Sequence, residues 1–240
     1  MVSSGPVEVG GYVLAGGKSS RMGRNKALLA LGGEPLVCHA VKKLRRVCRD
    51  VRILTGDSEL SAYAPLVPDL HPGCGPMGGM EAGLLHSTFE WNLFLAVDMP
   101  FVPSTLISDW LRVWLEEDER REGARVRMFT VDGRPQPGFC LLHKEVAPFL
   151  SAALEQGQYK LLPVLEAAGR ELALKPGLPP GAGCWNVLTP GLRSIAGERR
   201  SEESRDTTEA QQAAQHLWFA NLNTPEDFAE AEKHLNALDT

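Results

Sequence analysis

The residues best suited to chemistry lie in one stretch near the start of the chain, Tyr12 to Lys26. An apolar run from Tyr12 to Ala15 stops at the pair Gly16-Gly17, and Lys18, Arg21, Arg24 and Lys26 follow. A strand that breaks at paired glycines lets the backbone approach a ligand and leaves N–H groups free to point at it. Backbone donors and cations together at a strand end suit a polyphosphate. Arg21 can meet two phosphate oxygens with its planar fork, and Lys26 can serve as a point charge. The stretch has neither the order of a P-loop, Gly-x-x-x-x-Gly-Lys-Ser/Thr, nor the Gly-x-Gly-x-x-Gly of a dinucleotide site.

Two aspartates complete the set of candidates. Asp98 closes the apolar run Trp91 to Val97, and Asp69 follows the apolar Leu66-Val67. A carboxylate closing so apolar a strand is costly without a partner. Mg²⁺ keeps several of its waters and needs only one or two protein carboxylates beside phosphate oxygens. Asp98 is therefore the candidate metal ligand, and Asp69 is a second acid or a contact to the nucleoside. His39, His71 and His86 show no metal-ligand spacing.

These residues need a frame to bring them together. Tyr12–Ala15, Val51–Leu54, Pro65–Val67 and Trp91–Val97 read as strands, the last as a central one covered on both faces. Leu36 to Val47 has helical periodicity, with Lys42, Lys43, Arg45 and Arg46 read as a solvated face. Met80–His86, Ser104 to about Glu117, Glu145–Glu155, Leu161–Ala168 and Pro225–Leu238 also read as helices. Ser104 is the expected cap of its helix. Asp69 to Gly79 holds four glycines and two prolines in eleven residues and reads as loop. Val126–Val131 and Phe139–Leu142 are strands flanking a loop at 132–137, and Leu217–Ala220 is a short strand. Alternation of strands and helices predicts an α/β core with a mostly parallel sheet and right-handed crossovers. Ligands of such sheets sit beyond the carboxyl ends of the strands, where Gly16, Asp69 and Asp98 all fall.

Composition bounds the alternatives. The chain has 240 residues, enough for one large α/β domain or two small ones, and a net charge of −5, which argues against a general nucleic-acid surface. The cations at 18–26 are then a local feature suited to a small anion. The five cysteines are odd in number with no Cys-x-x-Cys spacing, as in a cytosolic protein with reduced thiols. No apolar run approaches the roughly 20 residues of a membrane span, and residues 1–11 lack the features of a signal peptide.

The stretch Leu14-Ala15-Gly16-Gly17-x-Ser19-x-Arg21-Met22-Gly23-x-x-Lys26 resembles the signature of nucleotidyltransferases that activate sugars and cofactors with a nucleoside triphosphate. It is most similar to that of the molybdenum cofactor guanylyltransferases. Three further blocks in order resemble the same family: Gly75-Pro76-Met77-Gly78-Gly79-Met80-Glu81-Ala82-Gly83, Val97-Asp98-Met99-Pro100-Phe101 and Asn221-Leu222-Asn223-Thr224-Pro225-Glu226-Asp227. The resemblance covers 11 to about 168 and again 217–235. It implies a three-layer α/β/α Rossmann-like fold in a single domain, with a nucleotide half at about 9–115 and an acceptor half at about 116–240. It also implies transfer of GMP from GTP to the phosphate of molybdopterin, with Mg²⁺ as cofactor. By motif matching, Leu14, Ala15, Gly16 and Gly17 would line the nucleotide. Arg21, Lys26 and Asp98 would be catalytic, with Asp69 and Asp98 toward nucleotide and metal. Asn221 and Asn223, and more weakly Gln136 and Lys160, would face the acceptor.

An acceptor that is itself a phosphate is already anionic, so no general base is needed, which fits a sequence without a Ser/His/Asp set. Leu-Ala-Gly-Gly resembles the guanylyl enzymes, whereas Leu-Ala-Ala-Gly is typical of cytidylyl relatives. An Asn common near the end of strand two is replaced by Leu54-Thr55-Gly56, which leaves a CTP-dependent enzyme, or one for another small-molecule phosphate, as the alternative. A non-catalytic nucleotide-binding protein is the reading from another class. Residues 176–216, rich in Pro, Gly and charge, match nothing in the family and read as a mobile insertion. Cofactor-assembly proteins or acceptor-enzyme chaperones are the expected protein partners.

Overall fold

The computed structural model describes residues 7–16, 25–119, 124–173 and 207–239. Strand β1 (Val7–Leu14) leads to a 3-10 helix at Lys26–Leu28 and a small hairpin of β2 (Ala30–Leu31) and β3 (Glu34–Pro35). Helix α1 (Leu36–Val47), strand β4 (Cys48–Leu54) and the short β5 (Leu66–Val67) follow, then α2 (Pro76–His86) and β6 (Trp91–Ala96). The second half holds α3 (Ser104–Glu119), β7 (Val126–Val131), β8 (Arg134–His143), α4 (Ala147–Glu155) and α5 (Leu161–Ala173). Beyond residue 206 come α6 (Glu209–Ala213) and α7 (Pro225–Ala231), the latter running on into a 3-10 helix at Glu232–Ala237.

The main sheet has six strands in the order β5-β4-β1-β6-β8-β7. β5, β4, β1 and β6 are parallel, and β8 runs against both β6 and β7. Alternate side chains of the central strands enter opposite cores. Val13, Ile53, Leu93 and Leu95 join the residues of α1 and α3, while Tyr12, Leu14, Leu54 and Phe94 join those of α2, α4 and α5. A sheet buried on both faces needs helices on both, which makes the architecture a three-layer α/β/α fold with a mostly parallel sheet, as the sequence implied.

Glycine lets α2 approach this sheet closely. A Cβ at Gly83 would stand 3.1 Å from Phe94, which is stacked on Tyr12 with ring centroids 5.3 Å apart. A Cβ at Gly78 would stand 2.9 Å from the carbonyl oxygen of His71, so the loop before the helix lies against its first turn only because no side chain intervenes. The glycines at 75–79 were expected to end regular structure. Instead α2 starts at Pro76, with Gly75 (φ 68°) as its cap. Close packing outweighs the roughly 1 kcal/mol that each helical glycine costs.

Other expectations shift in register or kind. The loop expected at 132–137 is a two-residue turn, Asp132-Gly133, both at positive φ, as the right-handed twist of a tight hairpin requires. Leu217–Ala220 is no strand. Leu217 ends a 3-10 turn, the Trp218 indole donates to the Gln211 carbonyl at 2.9 Å, and Phe219 packs on Phe129 with ring centroids 5.0 Å apart. A four-residue apolar run does not by itself separate strand from buried turn. Of the stretch read as an insertion, residues 176–206 lie outside the described residues. Residues 207–216 do not behave as a mobile segment: Thr208 and Gln211 form a capping box on α6, and Ala214 is fully buried. Ser104 does not cap α3 with its own side chain. Its N–H is bonded at 2.7 Å to the carboxylate of Asp239, near the far end of the chain.

Candidate functional site

β1, β4, β5 and β6 all end on the same edge of the sheet, and the ladder continues one residue past each end. Ala15 N donates to Leu54 O at 3.3 Å, Val97 N to Leu14 O at 3.1 Å and Thr55 N to Val67 O at 3.2 Å. The segments Ala15-Gly16, Thr55-Gly56-Asp57, Pro68-Asp69 and Val97-Asp98 are thereby held side by side.

Lys26 is the hub of this edge. Its Nζ lies 2.6 Å from Asp98 Oδ2 and 2.6 Å from Asn223 Oδ1. Three of the sequence blocks thus meet at one ammonium group. Asn25 orients it: its side-chain oxygen caps the 3-10 helix at Ala27 N, and its amide donates to Asp57 Oδ2 at 2.5 Å. Asn223 is fixed in turn, because Leu222 N donates to Asp98 O at 3.0 Å and Asn223 N to Asp227 Oδ2 at 2.7 Å. The N–H groups of Asn223 and Thr224 hold the Asp227 carboxyl below its ordinary pKa. Thr224 and Asp227 form the capping box that starts α7. The block Asn221–Asp227 is therefore a loop-to-helix entry that aims Asn223 at Lys26.

Asp98 has unequal oxygens. Oδ2 is engaged by Lys26, while Oδ1 is buried and has no hydrogen-bond partner. Asp69 is similar: Oδ1 is buried without a partner, and burial pushes the carboxyl above its ordinary pKa. Asp69 sits between the end of β1 and the first turn of α2. A Cβ at Gly16 would stand 3.8 Å from its Oδ2, and one at Gly79 3.3 Å from its Oδ1. Its loop is anchored behind: His71 Nε2 is 3.5 Å from Glu81 Oε2, and Ser151 Oγ donates to Glu81 Oε1 at 2.5 Å. Orphaned buried carboxylate oxygens are rare and expensive, so two of them on one sheet edge point to a bound cation or donor.

Lys43 corrects the sequence reading. It was placed on a solvated face of α1, yet it is 1% exposed, and its Nζ donates to Pro100 O at 2.7 Å and to Val102 O. Asp239 Oδ2 is 3.8 Å away. Leu36, Ala40, Lys43 and Val47 follow the i, i+4, i+7, i+11 spacing of a single stripe, and that signal could have found it. Burial lowers its pKa to about 8, against the pull of Asp239. Lys43 pins the backbone on both sides of Phe101, just after Asp98. Lys42, by contrast, is exposed and paired with Glu34, and Arg45 donates to Tyr63 O.

The remaining candidates divide. Leu14, Ala15 and Gly16 lie at the end of β1, beside Asp69. Gly17 and Arg21 lie outside the described residues. Asn221 is exposed, and its carbonyl accepts from the Asn223 side chain at 3.4 Å. Gln136 lies near the start of β8, three residues before Phe139, which pairs with Leu95 at the end of β6; this is the same edge as Asp98. Its side chain bonds Arg134 O, and Lys160 is exposed between α4 and α5. Among the described residues, no contact joins Gln136 or Lys160 to Lys26, Asp98 or Asn223. Sequence reasoning misses Asn25 and Asp57, and it includes Asp227 in the last family block without giving it a role.

Comparison with known proteins bears on the family and the fold. A molybdenum cofactor guanylyltransferase of Serratia proteamaculans is 34% identical over 169 residues, covering 68% of this chain and 81% of that protein. One from Vibrio cholerae is 34% identical over 162 residues, covering 76% of its length. The crystal structure of molybdopterin-guanine dinucleotide biosynthesis protein A from Archaeoglobus fulgidus superposes with a TM-score of 0.67 at 22% identity, covering 96% of this chain and all of that one. The 4-diphosphocytidyl-2C-methyl-D-erythritol synthase of Anaerococcus prevotii shares the fold at a TM-score of 0.57 and 14% identity, covering 95% of this chain and 96% of that one. The pattern of the MobA-like NTP transferase domain matches residues 11–171, which span the sheet and both candidate carboxylates; the chain belongs to this family of nucleotidyltransferases.

Proposed function

We propose that the protein transfers GMP from GTP to the phosphate of molybdopterin, forming the guanine dinucleotide and releasing pyrophosphate. The observation that carries this reading is the meeting of Lys26, Asp98 and Asn223 at a single nitrogen. The names of the relatives supply the base and the acceptor.

In the transfer, an oxygen of the acceptor phosphate bonds to the α-phosphorus of GTP, and the bond from that phosphorus to the bridging oxygen breaks. The acceptor oxygen is already anionic, so no side chain has to take a proton. The protein's task is to position two anions and offset their repulsion. The backbone at Gly16 and Gly17, past the last ladder bond of Ala15, would face the nucleotide, Lys26 offsets charge on the phosphates, and Arg21 belongs to the same assignment. Asn223 holds Lys26 from the acceptor side, with Asn221, Gln136 and Lys160 as further acceptor contacts.

The residues present fit Mg²⁺. Asp98 offers an oxygen that no protein donor satisfies, and Asp69 offers a second. Asp98 would hold the ion, with Asp69 as a further carboxylate toward the ion or the nucleoside. Bound there, Mg²⁺ would neutralise charge on the triphosphate. Cytosolic residence and contacts with cofactor-assembly proteins belong to the same proposal; the free cysteines Cys38, Cys48, Cys74 and Cys140 support the former.

Titration calorimetry with GTP, CTP and ATP in the presence of Mg²⁺ tests the base. GTP should bind tightest. Tight CTP binding with no GTP binding would transfer the reading to the cytidylyl alternative, GTP binding without pyrophosphate release would leave a non-catalytic nucleotide-binding protein, and no binding of any of the three would refute the proposal.

A further inference from the structure

We infer that His216, Glu230 and His234 form a binding site for a borderline divalent cation, with zinc the best match. Each offers one donor atom, and the three donors lie within 4.8 Å of one another. The imidazole rings of His216 and His234 meet edge to face, with centroids 5.4 Å apart. Two imidazole nitrogens and a carboxylate oxygen are a donor set that zinc accepts, leaving its fourth position to water. Zinc with donors at about 2.1 Å holds them roughly 3.4 Å apart in a tetrahedron. The widest separation here closes by a little over an ångström, within reach of side-chain rotation at a partly exposed site.

The carboxylate is already arranged for this role. Glu230 Oε1 faces His234 Nε2 at 3.5 Å, while Oε2 accepts from Lys233 Nζ at 2.6 Å. Lys233 is the first cause holding the Glu230 carboxyl below its ordinary pKa, with His234 adding to it. One oxygen thus faces the imidazole that would share the cation while the other is held from outside, the usual arrangement of an oriented metal carboxylate. Glu230 lies in the last turn of α7 and His234 at the kink of the 3-10 segment that follows (φ −121°), and that bend leaves His234 facing Glu230.

The position gives the site a purpose. His216 lies before, and Glu230 and His234 after, the segment that carries Asn221, Leu222 and Asn223. That segment supplies the Asn223 bond to Lys26 and the Leu222 bond to Asp98. A cation shared by the two ends would staple the segment shut at its base, holding the acceptor side of the site in place. The donors do not include Lys26, Asp98 or Asp69, so the site stands whether or not the proposed transfer is correct.

The test uses the full chain without an affinity tag, titrated with Zn²⁺ and, for its visible spectrum, with Co²⁺. The wild type should bind Zn²⁺ at this site, show the visible bands of four-coordinate Co²⁺ and gain several degrees in Tm with Zn²⁺. His216→Ala and His234→Ala should each weaken binding at least tenfold and lose the Tm gain, while Asp98→Asn binds as the wild type does. His234→Gln, checked by circular dichroism, separates loss of a ligand from loss of fold. Equal Zn²⁺ affinity in wild type and both histidine variants would overturn the assignment, as would no binding at millimolar Zn²⁺ or binding abolished by Asp98→Asn alone.

Discussion

Replacing Lys43 with Met should change how stability depends on pH more than it changes stability at pH 7. In the folded chain Lys43 loses its proton near pH 8, against 10.5 for an ordinary lysine. Between these values the unfolded chain still holds a proton that the folded chain has released, so stability rises with pH there. At about 1.4 kcal/mol per pH unit, the full rise is about 3 kcal/mol, and the ammonium costs the fold that much at neutral pH. Lys43→Met removes the cost but leaves the carbonyls of Pro100 and Val102 without their donor, at about 1–3 kcal/mol each. The two effects largely cancel at pH 7. Near pH 10 they do not, because the neutral amine of the wild type still donates and no longer carries a buried charge. Urea unfolding of both proteins at intervals from pH 7.5 to 10.5 gives the comparison, and other titrations cancel in the difference. The wild type should gain about 3 kcal/mol on the variant across that range, about 1 M of urea or more in midpoint difference. Parallel curves would refute the reasoning. A wild type that lost ground as pH rose would show that Asp239 and the carbonyls, not burial, govern this lysine.

The catalytic assignments make further predictions. Lys26→Ala and Asp98→Ala should each lower turnover by roughly tenfold to a thousandfold, the scale of one lost transition-state contact; unchanged pyrophosphate release in either would dismantle the site. Asp69→Asn should raise Tm at pH 7 while lowering turnover. Burial raises the pKa of Asp69, so its ionised form costs stability above the ordinary carboxylate range, and the amide removes that cost. A lower Tm would show that Asp69 has a structural partner. Gly16→Ala should leave Tm nearly unchanged, because the nearest atoms to its added Cβ are Leu54 O at 3.6 Å and Asp69 Oδ2 at 3.8 Å, ordinary contacts. Any change in the ratio of GTP to CTP affinity measured in that variant then reports on base choice rather than on folding.

The strands of the main sheet and most helices are legible because each buries a continuous or periodic apolar pattern, which is a local property; the hairpin of β2 and β3 and the turn at Leu217–Ala220 are not. β6 is buried on both faces and reads as an apolar run broken only by Asn92; α1 shows its stripe directly. What the sequence hid was set by contact between distant segments. Glycines that break a helix in isolation sit inside α2, because only a bare backbone allows the His71 carbonyl and the Phe94 ring so near. Trp218 looks like a strand residue until its indole is seen to bond the Gln211 carbonyl across a turn.

Lys43 shows the same limit at the site. A charge on an apolar stripe ordinarily reads as solvated, since burial costs so much. What offsets that cost here is a pair of carbonyls from the loop after Asp98 and, more distantly, a carboxylate at position 239, neither visible from α1. The catalytic blocks were each readable, since their glycines, cations and acids carry chemistry on their face. Their meeting point was not. Lys26 reaches Asp98 across 72 positions of sequence and Asn223 across 197. Sheet order brings the strands leading to the first pair together, because β1 and β6 are neighbours, and the bond from Asn25 to Asp57 orients Lys26. The second pair needs the return of the chain through Phe219 onto Phe129 and the bond from Leu222 to Asp98. The proposed acceptor half of the site therefore depends on packing made late in the chain, and loosening that packing should weaken binding of the proposed acceptor before that of the nucleotide.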